Sequence, residues 1–368
     1  MDIGIFGLPK SGKTTVFNAL TRSHAATAAY AAEDERHVAV VKVPDPRLGQ
    51  LADLFHPQRV VPAEVRYTDF AAPAKGFSRS EGFPPQLLAD LRLMDVLLVV
   101  VRAFEDSGVP HVASRVDPLQ DAISLDLEMI LADLGILQRR QERITASLRG
   151  ARGVERDQLL HEQVALTQLQ RHLENEQPLR GQELPPEMQP LLANFQFLTA
   201  KPLLVVANAG EAQARDLAAM EASLATRYPP PRAGVIALCG ALEMELAQLT
   251  EAEAADLRAA YGLPAESALD RVIRASSEVA GLMHFFTVGP DEVRAWTVPV
   301  HSTALRAARA IHSDLERGFI RAEVIAWDTL LDCGGWAPAR HRGLIRTEGR
   351  DYEVRDGEIA HILFNVGR

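Results

Sequence analysis

Apolar and polar positions alternate from the first residues of the chain, with Ile3 and Ile5 on one face of an expected strand. The alternation stops at Gly7-Leu8-Pro9-Lys10-Ser11-Gly12-Lys13-Thr14, and a helical period resumes at Val16, Phe17 and Leu20. The pattern predicts further strands at His37–Val43 and Glu64–Phe70, with Pro44-Asp45-Pro46 and a helix carrying Leu48, Leu51 and Leu54 between them. Val96–Val101 is a continuous apolar run, right for a buried parallel strand, and Leu203–Asn208 and Val235–Leu238 read as two more. From Leu119 the period lengthens. Leu119, Ile123, Leu127, Ile130, Leu134 and Leu137 recur at three and four, Gly150 and Gly153 interrupt, and Leu159, Leu166, Leu169 and Leu173 resume. This predicts an antiparallel helical hairpin inserted into an α/β domain, with Pro178, Pro185, Pro186 and Pro190 marking the return. Beyond Met283 the pattern gives a strand at Val293–Val300, one amphipathic helix over Thr303–Phe319 and a strand at Ile320–Trp327. A hairpin of Tyr352–Val354 with Glu358–Phe364 around Asp356-Gly357 completes a small β-grasp module.

The strand, glycine-bounded loop and helix at residues 3–21 match the phosphate-binding pattern. Gly7 and Gly12 let successive backbone N–H groups converge on phosphate oxygens, Lys13 reaches the β- and γ-phosphates, and the Thr14 hydroxyl is placed to ligate Mg²⁺. The positive N-terminus of the following helix acts on the same anion. A glycine-rich turn without a ligand is the alternative. Asp69, at the carboxyl end of its strand, stands where the metal-side carboxylate of a phosphate-loop enzyme belongs. The Ala-rich, then acidic residues 22–36 occupy the place of a first switch and Pro73–Pro85 that of a second. Asn208-Ala209-Gly210-Glu211 follows a parallel strand where the base is read. The Lys and Asp of a guanine reader are absent, and Asn can instead pair with the adenine edge, which offers one donor and one acceptor side by side. A plain strand-ending turn is the competing reading of these four residues.

A chain of 368 residues exceeds one ordinary core, and 47% hydrophobic with 24% charged residues is the composition of a folded protein. It contains no 18-residue apolar run and no secretory pattern at its start, so a cytoplasmic location without a membrane is expected. Cys239 and Cys333 are too few for a disulfide framework and too isolated for a metal site. The net charge of −10 argues against non-specific adhesion to nucleic acid. It is unevenly shared: residues 283–368 hold 11 Arg against 12 Asp and Glu, so an Arg-bearing face there is compatible with an RNA partner, with a solvated, mixed-charge surface as the default reading.

These pieces together resemble the YchF-type, or Obg-like, ATPases of the phosphate-loop class. The resemblance is carried by GLPKSGKTTVFNALT, by VPDPRL at 43–48, NAGE at 208–211, EVRAWTV at 292–298, IHSDLERGFIRAEVIA at 311–326 and DGEIAHILFNV near the end. It implies a Ras-like nucleotide domain (residues 1–118 and 199–282), a helical coiled-coil insertion (119–198) and a C-terminal TGS domain (283–368). It also implies ATP preferred over GTP, Mg²⁺-dependent hydrolysis and association with ribosomes. Carried over by position, Lys10, Ser11, Gly12, Lys13, Thr14 and Thr15 would hold the phosphates, Thr14 the Mg²⁺, and Asn208, Ala209 and Glu211 the adenine. A His in the loop after the apolar strand, proposed in the family to act in hydrolysis, aligns with His111; read from the residues alone it is a surface histidine. Three departures stand out. Glu33 and Asp34 lie where the family's first switch has a Thr, Ala72 replaces the Gly of its Asp-x-x-Gly, and Pro73 follows. These leave two alternatives to an ATP-hydrolysing switch: a nucleotide-sensing module that has lost hydrolysis, and a GTP-specific switch.

Overall fold

The computed structural model describes residues 1–21, 37–70, 82–106, 108 and 115–365, without the side chains of 187, 189 and 191. The chain forms two compact units, one of residues 1–39 and 66–279, the other of 40–65 and 280–368.

The first sheet contains β1 (Asp2–Phe6), β2 (His37–Lys42), β4 (Glu64–Asp69), β5 (Val96–Arg102), β6 (Leu203–Asn208) and β7 (Ala233–Leu238), in the order β2-β4-β1-β5-β6-β7. β4, β1, β5, β6 and β7 run parallel. Every residue of β5 and β6 is buried, as the uninterrupted apolar runs require of strands covered on both faces. Because the strands are parallel, their carboxyl ends share one edge. Arg102, Asn208 and Leu238 stand side by side there, and Asp69 is level with Ile5 of β1. The loop after β1 and helix α1 (Lys13–Thr21) rise from the same edge.

Helices α2 (Pro46–Phe55) and α3 (Pro85–Arg92) precede the long pair α4 (Pro118–Ser147) and α5 (Gly153–Glu174). α4 changes partners along its length. Ala122, Leu125 and Met129 belong to the sheet's core, whereas Ile130, Leu137 and Ile144 join Leu166, Leu169 and Leu173 of α5 in a separate apolar seam. The stripe read as one hairpin seam therefore serves two cores, and Leu119 packs against the first of them. At the root of the hairpin, the Asp133 carboxylate accepts from the backbone of Leu198 and from both the backbone and hydroxyl of Thr199. The buried Arg180–Asp126 pair, 2.8 Å apart, joins the return segment to α4.

The second unit is a mixed sheet of β3 (Arg59–Val61), β8 (Leu282–Val288), β9 (Glu292–Pro299), β10 (Phe319–Ala326), β11 (Arg346–Glu348) and β12 (Glu358–Phe364). Its order is β11-β10-β12-β8-β9-β3, with β12 and β8 parallel at the centre and β3 parallel to β9 at one edge. Two local expectations fail. The helix expected over Thr303–Phe319 is two, Ala304–Ile311 and Ser313–Arg317, because His312 is extended (φ −164°, ψ 144°) and its Nδ1 accepts from Asp314 N, capping the second. The hairpin around Asp356-Gly357 does not form either, since β12 is held between β10 and β8. Gly357, at φ +79°, donates to His284 O, and Asp356 accepts from His284 N, so this turn docks on β8. The 43–48 segment is a capped helix start. Asp45 accepts from Arg47 N, Pro46 occupies the first turn of α2, and Arg47 pairs with both Asp45 and Asp356. No helix among the described residues is long and apolar enough to cross a membrane.

Candidate nucleotide site

The loop after β1 is shaped by two close approaches. A Cβ on Gly7 would stand 2.3 Å from Val100 O, and one on Gly12, whose φ is +86°, would stand 2.1 Å from Asn208 Nδ2. Only glycine fits at either position. Lys10, at the exposed tip, adopts φ 63° without being glycine, a local strain of about 1–2 kcal/mol. Lys13, on the first turn of α1, is buried, and its Nζ donates to Leu8 O at 3.2 Å. Burial lowers its pKa to about 8, the negative charge of Asp69 partly opposing the shift. The ammonium thus rests folded back on its own loop, with one carbonyl where a polyphosphate would supply several charged oxygens.

Thr14 Oγ1 donates to Asp69 Oδ2 at 3.0 Å. Asp69 is buried, which raises its pKa against the opposing pull of Lys13, Thr14 and His37. Its second oxygen, Oδ1, and the hydroxyl of Ser11 are both buried without a hydrogen-bond partner among the described residues. A buried carboxylate with one empty oxygen beside a threonine hydroxyl fits a hard cation that takes oxygen ligands and completes its shell from phosphate and water. Among the described residues no group of three or more His, Cys, Asp or Glu is placed to hold a metal by itself. Thr15 is half-buried on the first turn of α1.

Asn208 is spent on the protein itself to a degree the sequence does not reveal. Its Nδ2 donates to Ser11 O and its Oδ1 accepts from Gly240 N, both at 3.0 Å, so it ties the phosphate loop to β6 and to the helix starting at Gly240. One N–H and one lone pair remain for a ligand. Ala209 is buried beside it and Glu211 is exposed. His111 and the departures Glu33, Asp34, Ala72 and Pro73 lie outside the described residues. The structure adds three members that sequence reasoning passed over. Arg102 closes β5 fully buried, its guanidinium 4.4 Å from the Phe104 ring and its Nε donating to Phe104 O. Phe104 in turn lies 3.3 Å from where a Cβ on Gly210 would stand, and Gly240 supplies the N–H that Asn208 accepts. A charged residue ending a six-residue apolar run, and a glycine directly beyond the last parallel strand, were the available signals.

Residues 2–132 match a family model described as "50S ribosome-binding GTPase", and residues 282–365 match the C-terminal YchF-GTPase model, described as "Protein of unknown function (DUF933)". The chain is 39% identical over 369 residues to the ribosome-binding ATPase YchF of Bacillus subtilis, covering 100% of both proteins. It is 37% identical over 373 residues to the protein of the same name from Escherichia coli O157:H7, with 99% of each covered. The solved structure of the Schizosaccharomyces pombe YchF GTPase superposes with a TM-score of 0.84 at 29% identity, over 99% of this chain and 97% of that one. With its phosphate loop, its inserted helical pair and full-length similarity of this order, the chain belongs to the YchF family.

Proposed function

We propose that this protein is an ATP-binding switch that hydrolyses ATP slowly with Mg²⁺ and acts at the ribosome. The observation that carries the reading is the buried Lys13 ammonium beside the Thr14–Asp69 pair, at the carboxyl edge of a parallel sheet and the start of α1. The names of the full-length relatives, ribosome-binding ATPases, support the nucleotide and the partner.

In this reading the amides of Lys10–Thr15 and the N-terminus of α1 cradle the polyphosphate, and Lys13 Nζ exchanges Leu8 O for β- and γ-phosphate oxygens. Gly7 is the hinge residue that lets the loop backbone approach. Thr14 and Asp69 would hold Mg²⁺, which when bound neutralises phosphate charge as the bond to the γ-phosphorus breaks. Lys13 stabilises the same developing charge. His111, assigned by family resemblance, would place the attacking water. Asn208, Ala209 and Glu211 would face the base. Ala209 and Glu211 stand where a guanine reader has Lys and Asp, and the free N–H and lone pair of Asn208 match the adenine edge. We read the C-terminal unit as a TGS module and, with the helical insertion, as the surface that meets the ribosome.

Calorimetric titration with ATP, GTP and ADP in Mg²⁺ tests base choice and γ-phosphate sensing together. ATP should bind more tightly than GTP, and a clear GTP preference overturns the base assignment. Single-turnover phosphate release should exceed that of Lys13→Ala by a hundredfold or more, since loss of a transition-state donor costs about 2.7–4 kcal/mol. Equal release by a variant that still binds ATP would leave a sensing module without hydrolysis.

A further inference from the structure

At the opposite edge of the parallel sheet from the phosphate loop, the structure has a cavity of about 400 Å³. Asp95, Pro202 and Arg232, each the residue immediately before β5, β6 or β7, form one side. The segment returning from the helical insertion, from Leu179 to Ala200, forms the other. Three cations line it. Arg180 is buried: its Nη1 pairs with Asp126, its Nε donates to Lys201 O, and its Nη2 has no hydrogen-bond partner among the described residues. Lys201 is half-buried, with Nζ on the carbonyl of Met94. Arg232 is exposed and donates from Nη2 to Ala200 O at 2.8 Å.

Asp95 is the one carboxylate on the wall, and its Oδ2 is taken by the backbone N–H of Asp2. Among the described residues neither Lys201 nor Arg232 forms an ion pair. Burial lowers the pKa of both; Asp95 and Asp133 oppose the shift at Lys201, and the like charge of Arg180 adds to it at Arg232. Arg180 has Asp126 as its counter-charge, whereas Lys201 and Arg232 hold no carboxylate in an ion pair among the described residues, and an anion joining them would offset the solvation they lose. Guanidinium groups match phosphate oxygens in geometry as well as charge. Leu179, Leu192 and the Phe197 ring, which stacks on Phe195, give the wall an apolar part that would cover an organic body, and Gln182 and Gln196 add polar groups beside it.

We propose that this cavity, lined by Arg180, Lys201 and Arg232 beside the apolar patch of Leu179, Leu192 and Phe197, is a second ligand site that binds a small organic phosphate. It is distinct from the phosphate loop and bridges the root of the helical insertion to the amino edge of the sheet. A ligand there contacts both the arm and the strands that carry the nucleotide site on their far ends.

The test uses the full-length protein and phenyl phosphate as the probe, followed by ligand-detected NMR titration, with inorganic phosphate and benzyl alcohol as its two halves. Wild type and Lys13→Ala should bind phenyl phosphate equally. Arg232→Glu, a change at an exposed position, should bind it at least about tenfold more weakly, and Arg232→Lys should retain most of the affinity. Each half alone should bind more weakly than the whole. No binding by wild type, loss of binding in Lys13→Ala, undiminished binding by Arg232→Glu, or benzyl alcohol binding as tightly as phenyl phosphate would each overturn the site. The Lys13→Ala arm separates this outcome from any failure of the ATP reading.

Discussion

Lys13 carries a consequence that can be measured as pH dependence. Burial holds its pKa at about 8 in the folded protein, against about 10.4 in an unfolded chain. Between those values the unfolded chain binds more protons, so the ligand-free protein gains stability as pH rises through the window and carries the cost of the buried charge below it. Bound polyphosphate restores the proton by supplying counter-charge. Binding of ATP should therefore take up a proton above pH 8, and its affinity should fall by up to about tenfold per pH unit there. Calorimetry at pH 7.5 and 9.5, in buffers of different ionisation enthalpy, reads both effects; a flat profile would show that Lys13 does not meet the phosphates. Asn208 supports a second prediction. Asn208→Ala leaves Gly240 N–H and Ser11 O without their partner, which should cost about 1–3 kcal/mol in a denaturant titration and weaken nucleotide binding as the loop loosens. An unchanged midpoint would deny Asn208 its clamping role. The loop residues were legible because backbone geometry dictates their spacing: Gly7 and Gly12 must be small where Val100 O and Asn208 press in. The clamp was not, because it joins positions 11, 208 and 240, which become neighbours only once the sheet has formed.

At the scale of elements, periodicity located the long helices and strands well and their partners less well. The run Leu119–Leu137 shows a helix with an apolar stripe, but nothing in a period of 3.6 tells which part of the stripe faces which core, and α4 divides it near Met129. The break at His312 was hidden for a different reason. Its ring substitutes for a backbone partner at the cap, a local hydrogen bond that outweighs an amphipathic pattern continuing through it. Asp356-Gly357 carries a hairpin signal, yet the turn is used to seat β12 beside β8, where the central position buries more apolar surface than a two-stranded ribbon would. The seam of the insertion gives the element-scale prediction. Leu137 is fully buried between α4 and α5, so Leu137→Ala should cost about 2–5 kcal/mol of local stability. Because Leu137 belongs to the seam and not to the sheet core, hydrogen exchange should quicken along α4 beyond Ile130 and along α5 while β5 and β6 keep their protection. Equal loss of protection in the sheet would mean that insertion and nucleotide core unfold as one.

At the scale of the molecule, the units are not contiguous in sequence. Residues 40–65 leave the first unit and supply α2 and the three-residue β3 to the second, where Arg59, Val60 and Val61 pair with β9. So short a strand has no readable period, and half-exposed Val60 gives no burial signal. The helix start at Asp45-Pro46 was readable, but its Arg47–Asp356 pair spans 309 residues and appears only in three dimensions. Each unit has its own apolar cluster. A ligand gripped by Lys13, Thr14 and Asp69 binds the folded first unit, because α1 and β4 carry those residues. Mass action gives the size: ATP with Mg²⁺ at a hundred times its Kd should stabilise the folded nucleotide unit by about 2.7 kcal/mol. Amide exchange resolves where this appears. The slowest amides of β1, β5 and β6 should be protected by that amount, and those of Ser11, Thr14 and Gly240, nearest the loop and clamp, by no less. Lys13→Ala should abolish the gain at the same ATP concentration while leaving the ligand-free protection of β5 and β6 nearly intact. A gain that survives in Lys13→Ala would place the nucleotide elsewhere and remove the phosphate loop from the account.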